Sequence, residues 1–339
     1  MPSYAVLTCA LHEHAYINGF ISHYQNIGFD AIYIICDRFQ PKYEPYLNME
    51  KLNKIEIHFI HMKYPINQTN PTFFEINQLN YYRNTIKQMN YDYIFLCDMD
   101  EYLYLPTGNI QSFMTPILQL PNVSQIRFPW MMVDSLDEDP VNMFDNLDKH
   151  KWYINGHVKS MFKKNNLIYK NNVLQINTHT AMVNGRSYTQ DGFQQPQTLD
   201  GKFPHSRFNI DFYKKHAFII HFHTRSFKNN IIKLLTNKYS GKSDNNQKGK
   251  FLALVKNNSY DYKNLTKFSL IKAHQTTEIS HFELSGLNKD ICNNNIDYNH
   301  KLFDDLLEYY NLSPKYFIPI LENPEKVISP ITTRFKENK

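Results

Sequence analysis

The sequence predicts an α/β protein built on a mostly parallel sheet. Three observations carry that prediction. Short β-prone runs alternate with amphipathic helical stretches in the N-terminal part of the chain. The runs are apolar throughout, as strands covered on both faces are. Three of them end in a polar or acidic residue, Thr8, Asp37 and Asp98, the carboxyl edge at which sheets of this kind hold ligands.

The elements follow in order. Tyr4 to Thr8 reads as a strand. From His14 to Ile27, the apolar residues Ile17, Phe20, Ile21, Tyr24 and Ile27 recur at three- and four-residue steps, which makes one helix face, and Gly28 is placed to stop it. Ala31 to Cys36 and Ile55 to Ile60 are further strands. Glu75 to Met89 repeats the helical step before the apolar run Tyr93 to Cys97. Later β segments are expected at Gln125 to Phe128, Val158 to Lys163, Val173 to Val183 and Ala217 to Phe222. Between them lie an acidic loop, Asp134 to Asp148, and a Gly-, Gln- and Pro-bearing loop, Asn184 to Ser206. Ser226 is placed to cap a helix over Phe227 to Lys238. The apolar-free stretch Tyr239 to Lys250 reads as a linker, and Lys301 to Tyr310 and Pro314 to Leu321 as short helices beyond it. The expected division is therefore a main domain over 1–240 and a linker with a small, mainly helical extension over 241–339.

Composition narrows the function. The 339 residues can bury a full core. With 37 basic and 32 acidic residues the formal charge is +5, too mild and too dispersed for a nucleic-acid partner. Cys9, Cys36, Cys97 and Cys292 show no CxxC spacing and read as free thiols in a reducing compartment. The start, MPSYAVLTCA, lacks the pattern of a secretion signal, and no apolar run approaches a membrane span. The expectation is a soluble cytoplasmic enzyme without an integral membrane segment, peripheral association with a membrane being the other option. The Asn-, Ile-, Lys- and Tyr-rich usage fits an AT-rich bacterial or large-virus genome.

The richest stretch is YDYIFLCDMDEYLYL, Tyr91 to Leu105, where the apolar run ends in Asp98, Asp100 and Glu101. Acids are seldom buried unless paired or bound to a metal. In an extended segment, residues two apart face the same side, so Asp98 and Asp100 would share one site while Met99 turns away. Two carboxylates leave open positions on a hard divalent cation, which keeps water and phosphate among its ligands.

Four motifs in order resemble GT-A-fold glycosyltransferases of the family-2-like and family-92-like, DxD-containing kind. LHEHAYINGFISHYQNIGFDAIYIICD resembles the opening strand, acidic loop and His-Tyr helix of those enzymes, with Glu13 at the acidic position and Leu11-His12 replacing their Lys-Asn pair. FLCDMDEYL resembles their Phe-Leu-Asp-x-Asp-Glu-Phe-Leu signature. Lys159-Ser160 matches a central Lys-Ser step, and HFHTRS, His221 to Ser226, a late His-Tyr-x-x-Lys-Ser signature with Phe222 for Tyr and Arg225 for Lys. The likeness spans residues 4 to 240.

The resemblance implies a Rossmann-like GT-A catalytic domain over 1–240 and a metal-dependent, inverting enzyme. It would move a sugar from a nucleoside-diphosphate donor, a UDP-sugar favoured, to a hydroxyl of a glycan or glycoconjugate acceptor. The implied cation is Mn2+ or Mg2+, held by Asp98, Asp100 and His221, with His223 as substitute for the histidine. Thr8, Glu13, Asp37, Arg83, Asp98, Lys159 and Arg225 would bind the nucleotide. Lys233 is the remaining basic candidate, read as solvent-exposed. The base on the acceptor hydroxyl would be Asp191, Asp134 or His179, with Glu138 a further carboxylate, and Trp130 and Trp152 are candidate sugar platforms. Two alternatives compete. A sugar nucleotidyltransferase also places paired Asp after a strand but carries a Gly-rich phosphate loop, which LHEHAYING is not. A non-catalytic nucleotide- or glycan-binding relative would not need the intact FLCDMDEYL.

Overall fold

A computed structural model of the protein describes residues 1–36, 41–63, 72–133, 139–145, 147, 150, 152–199, 210–222, 225–236, 277–279, 284 and 287–310. The first half runs β1 (Tyr4–Ala10), α1 (Ile17–Asn26), β2 (Ala31–Cys36), β3 (Glu56–His61), α2 (Thr72–Gln88), β4 (Tyr93–Leu96), β5 (Glu101–Tyr104), α3 (Ile110–Ile117) and β6 (Val123–Val133). The second runs β7 (Trp152–Lys163), β8 (Tyr169–Lys170), β9 (Val173–Leu174), β10 (Arg186–Thr189), β11 (Gln194–Gln195), α4 (Ile210–Lys215), β12 (Phe218–His221), α5 (Phe227–Leu235), β13 (Thr277–Ile279) and α6 (Ile296–Tyr309).

The expected mixed α/β, Rossmann-like architecture is present. The order along the main sheet is β11-β10-β6-β7-β4-β1-β2-β3. β3, β2, β1 and β4 are parallel neighbours. β7 runs antiparallel between β4 and β6 and hydrogen-bonds β13 at its start. β12 joins β6 in parallel and β5 antiparallel. Thus β1, β2, β3, β4, β6, β10, β12 and β13 point one way, and β5, β7 and β11 the other. This is the mostly parallel sheet of a GT-A-type domain, with antiparallel insertions.

Both faces of the N-terminal strands are buried, which is why those runs are apolar without alternation. Tyr4 and Val6 join the core layer of α1 and α3, whereas Ala5 and Leu7 join that of α2 through Tyr82, Ile86 and Met89. α1 ends where the glycine was expected. Gly28 has φ +88°, and a Cβ there would lie 2.6 Å from Asn109 Nδ2. Asn109 itself caps α3, its Oδ1 accepting the Gln111 and Ser112 N–H groups at 2.9 and 3.3 Å.

Several expectations are corrected. Asn184 to Ser206 is not loop throughout, because β10 and β11 form a hairpin on the sheet edge. Val173 to Val183 is only partly β, in β9 and in isolated bridges at Ile176 and Val183. The helix after Ser226 stops at Leu235. Beyond 240, the described residues 277–279 and 292–295 hydrogen-bond to the first part of the chain. β13 pairs with β7, and ahead of α6 the Asn295 N–H donates to Ala15 O and the Cys292 N–H to Ser22 Oγ. The linker Tyr239 to Lys250 and the helix at Pro314 to Leu321 lie outside the described residues.

Candidate functional site

The acids after β4 sit in a turn rather than an extended segment. Glu101 N–H donates to Asp98 O at 3.1 Å, and Glu101 Oε2 accepts the Asp98 N–H at 2.9 Å. This reciprocal pair fixes the backbone between β4 and β5 and turns Met99 into the core. β12 holds the turn from the far side. His221 lies opposite Glu101 in the ladder, and Phe222 N–H donates to Asp100 O at 2.8 Å.

Each acid has a buried cation. Lys159, on β7, donates from Nζ to Asp98 Oδ2 at 2.7 Å and to Thr178 O at 2.9 Å, and lies 3.5 Å from Glu101 Oε2. Lys233, on α5, donates to Asp100 Oδ2 at 2.8 Å. Arg225, just ahead of α5, donates to Glu13 Oε2 at 2.7 Å and to Met99 O at 2.8 Å. The solvent-exposed reading of Lys233 is therefore corrected: its side chain is 2% exposed. Asp98 alone among these groups keeps substantial access to solvent, its side chain 41% exposed against 12% for Asp100.

The electrostatics follow from burial against pairing. Burial pushes the Asp100 carboxyl up, but Lys233, His221 and Arg225 outweigh it and hold it well below the carboxylate range. Burial also dominates at Glu101, raising its carboxyl well above the usual value despite Lys159. Lys159 goes the other way. Burial disfavours its charge, yet Asp98 and Glu101 raise its pKa. Burial lowers Lys233, with Asp100 opposing and Arg225 assisting the shift. Four acids (Glu13, Asp98, Asp100, Glu101) thus face three basic side chains (Arg225, Lys159, Lys233) in one buried network.

Aromatic rings wall one side. Trp130 on β6 has the His221 ring edge-on at 4.4 Å, His157 stacked at 5.0 Å and His179 at 5.5 Å, with Lys159 Nζ 5.9 Å from its centroid. His179 Nδ1 donates to Val158 O at 3.0 Å. Burial, reinforced by Lys159, lowers its pKa to about 3, so the ring is neutral and weakly basic at physiological pH.

The remaining candidates scatter. Thr8 is buried near the end of β1. Glu13 is fully buried against Arg225, so a ribose would meet that ion pair rather than an open carboxylate. Arg83 donates to Leu174 O on the β9 side at 3.0 Å. It is the adjacent Tyr82 whose hydroxyl feels the Asp98 charge, after burial and Cys9 as causes of its raised pKa. Asp191 serves the β10–β11 turn, its Oδ1 accepting from Thr189 Oγ1 and the Phe193 N–H. Trp152 is a core residue, its Nε1 donating to Leu147 O at 3.2 Å. Asp37, Asp134, Glu138 and His223 lie outside the described residues.

Three features were not read from the sequence: the burial of Lys233, Glu101 as the turn's brace, and Tyr82 as the neighbour of Asp98. For Lys233 a signal existed. Ser226, Asn229 and Lys233 fall at i, i+3 and i+7, one buried polar stripe along a helix otherwise buried through Ile231, Ile232 and Leu235.

Among the described residues, no three acidic, histidine or cysteine side chains are grouped to enclose a metal. A hard cation that keeps water and phosphate ligands needs fewer protein donors. Asp100 Oδ1 and His221 Nε2 are 3.6 Å apart, too far to hydrogen-bond and near enough to touch one ion. The donors fit an open two-point site, not a closed cage.

No family model and no curated protein matches the sequence. Similar solved chains include HddC from Yersinia pseudotuberculosis, at 12% identity over 49% of this chain and 78% of that one, with a TM-score of 0.28. Core-mannan synthase A of Aspergillus fumigatus in its Mn/GDP form gives 9%, 42%, 45% and 0.24. A Bacillus anthracis protein assigned as a glucose-1-phosphate thymidylyltransferase, in complex with a sucrose, gives 6%, 48%, 71% and 0.28. Likeness at these scores carries no weight for activity, and the residues themselves support the reading that follows.

Proposed function

We propose that the chain is a glycosyltransferase that uses a nucleoside-diphosphate sugar, UDP-linked by preference, and transfers the sugar with inversion to a hydroxyl of a glycan or glycoconjugate. The observation that carries this is the Asp98–Glu101 turn at the carboxyl edge of a parallel sheet, with one carboxylate open to solvent and each acid opposed by a buried cation.

The cluster has no excess of basic over acidic side chains, so a doubly negative diphosphate needs further positive charge. A bound Mn2+ or Mg2+ would supply positive charge to the leaving diphosphate, with Asp100 and His221 as its two-point site and Asp98 as the third candidate ligand. The chain's own residues do the rest. Glu101 keeps the turn in shape. Lys233 keeps Asp100 ionised by holding Oδ2, leaving Oδ1 on the His221 side. Lys159 places a fixed charge between Asp98 and Trp130. Trp130, with His157 and His179, offers a ring surface against which a sugar can stack. Asp134, which follows β6 directly in sequence, keeps the proposed base role, since Asp191 is engaged in its turn and burial leaves the His179 ring a weak base.

No helix among the described residues is long and apolar enough to cross a membrane. The test is a thermal-shift and hydrolysis screen of UDP-, GDP- and dTDP-sugars with Mn2+. One donor class should stabilise the protein and be slowly hydrolysed. A uniform absence of response across all three would reject the reading.

A further inference from the structure

Asp139 is a buried carboxylate outside the site described above. Asp139, 7% exposed, sits where four segments meet. Its Oδ1 accepts from the Tyr16 hydroxyl at 2.6 Å and from Ser226 Oγ, and its Oδ2 accepts from Asn299 Nδ2 at 3.2 Å. Asn299 Nδ2 also donates to the Tyr16 oxygen at 2.7 Å. Tyr16 precedes α1, Ser226 caps α5 and Asn299 lies on α6. A buried carboxylate is expensive, and apolar residues would fill the same space at lower cost. One held by three donors fixes the relative placement of the elements that supply them.

What it places is the carboxylate turn. The Arg225 guanidinium lies 3.9 Å over the Tyr16 ring, on the same residue whose hydroxyl Asp139 holds. Arg225 then grips Met99 O and Glu13. Ser226 begins the helix that carries Lys233 to Asp100. From α6, Tyr298 stacks on His14 at 4.4 Å, beside Glu13, and Asn294 Nδ2 donates to Pro140 O at 2.7 Å. Arg225, which holds Met99 O, and Lys233, which holds the Asp100 carboxylate, are thus both tied through Tyr16 and Ser226 to Asp139, and Asp139 to α6.

We propose that Asp139 is a positioning residue and that helix α6 is a working part of the site, setting the Asp98–Glu101 turn through Tyr16, Arg225 and α5. This deepens the functional reading given above and rests on it for the ligand. The test uses the full chain as wild type, Asp139→Asn, Asn299→Asp, the exchange double variant Asp139→Asn/Asn299→Asp, and Leu307→Ala, which thins the apolar face of α6 without touching Asp139. Two quantities are read. One is Mn2+-dependent UDP affinity by calorimetry. The other is amide hydrogen exchange in the peptide spanning Asp98 to Glu101. Each polar single variant should weaken UDP binding about tenfold and speed exchange at the turn. The double variant, which restores donor opposite acceptor, should recover to within about threefold of wild type. Leu307→Ala should lower the melting temperature and leave both quantities unchanged. If the polar variants lose stability as Leu307→Ala does but leave the turn's exchange unaltered, α6 is only packing and the proposal fails. Should a single variant not fold, Tyr16→Phe decides, because it keeps the ring over Arg225 and deletes the hydroxyl's two hydrogen bonds, to Asp139 and from Asn299. Unchanged exchange there overturns the proposal. If wild-type protein does not bind UDP, the functional reading fails, and the exchange measurement still decides the role of Asp139.

Discussion

Replacing Lys233 with Met isolates what a buried cation does for a buried acid. Lys233 is 2% exposed and its partner Asp100 12%, joined at 2.8 Å, so methionine fills the stem's volume and strands the carboxylate. Breaking one side of a buried pair costs about 3–5 kcal/mol, most of it the penalty of the uncompensated charge. At about 2.1 cal/mol/K per residue a chain of this size loses roughly 1.4 °C of melting temperature per kcal/mol, so a fall of about 4–7 °C is expected. The pH dependence has a defined sign. In wild type the Asp100 pKa lies below its unfolded value, so its contribution is complete above the ordinary carboxylate range and is lost as pH falls through it. In Lys233→Met burial is no longer opposed by that cation, and the Asp100 pKa rises. The deficit is therefore largest near neutrality and shrinks in acid as Asp100 takes up a proton. Adding Asp100→Asn should recover at least about 2 kcal/mol, since a pair with both charges removed is often nearly neutral in stability. Urea denaturation at pH 7.5 and pH 4.5 on the four members of the cycle reads all of this. A single-variant loss under about 1 kcal/mol, or a double variant no better than the single, refutes the buried-pair reasoning.

Two further outcomes are expected. Glu101→Gln should cost under about 1 kcal/mol, because burial already disfavours the charge on its carboxyl and an amide oxygen can still accept the Asp98 N–H. Glu101→Leu removes that acceptor and should cost about 1–3 kcal/mol, and equal losses for the two variants would count against the brace. His23 is buried, donates from Nε2 to Leu103 O and has its pKa lowered to about 4 by burial, that bond opposing. A fall from 6.5 to about 4 corresponds to about 3 kcal/mol that is fully present above pH 6.5 and drains away as pH drops toward 4. His23→Gln, which keeps a donor, should flatten the stability profile across that window, whereas a profile identical to wild type would show that His23 is not the group titrating.

Legibility in the sequence tracked local chemistry. β1, β2 and β4 were readable because strands covered on both faces need unbroken apolar runs, and Gly28 because only glycine fits beside Asn109. β10 and β11 escaped notice because Ser187, Thr189 and Gln195 are polar yet buried, so no apolar period marks that hairpin. At the site, Asp98, Asp100, Lys159, His221 and Arg225 lie together around one turn. Their conformation was not readable. The i, i+2 rule assumes an extended chain, and Glu101 bends this one into a turn. The charge on Lys233 pointed outward by every average, and only the tertiary neighbour Asp100 explains its burial. Long-range pairs such as Glu13 with Arg225, or Asn299 with Asp139, leave no local trace at all.

The account stands on the Asp98–Glu101 turn gripping a diphosphate with the help of a divalent cation. Calorimetry of UDP with the wild-type chain and with Asp98→Asn, each in saturating Mn2+ and again in excess chelator, addresses that directly. The predicted result is wild-type affinity at least about tenfold tighter with Mn2+, and a variant that has lost most of that gain. Wild-type UDP affinity that is the same with and without chelator would contradict the central claim.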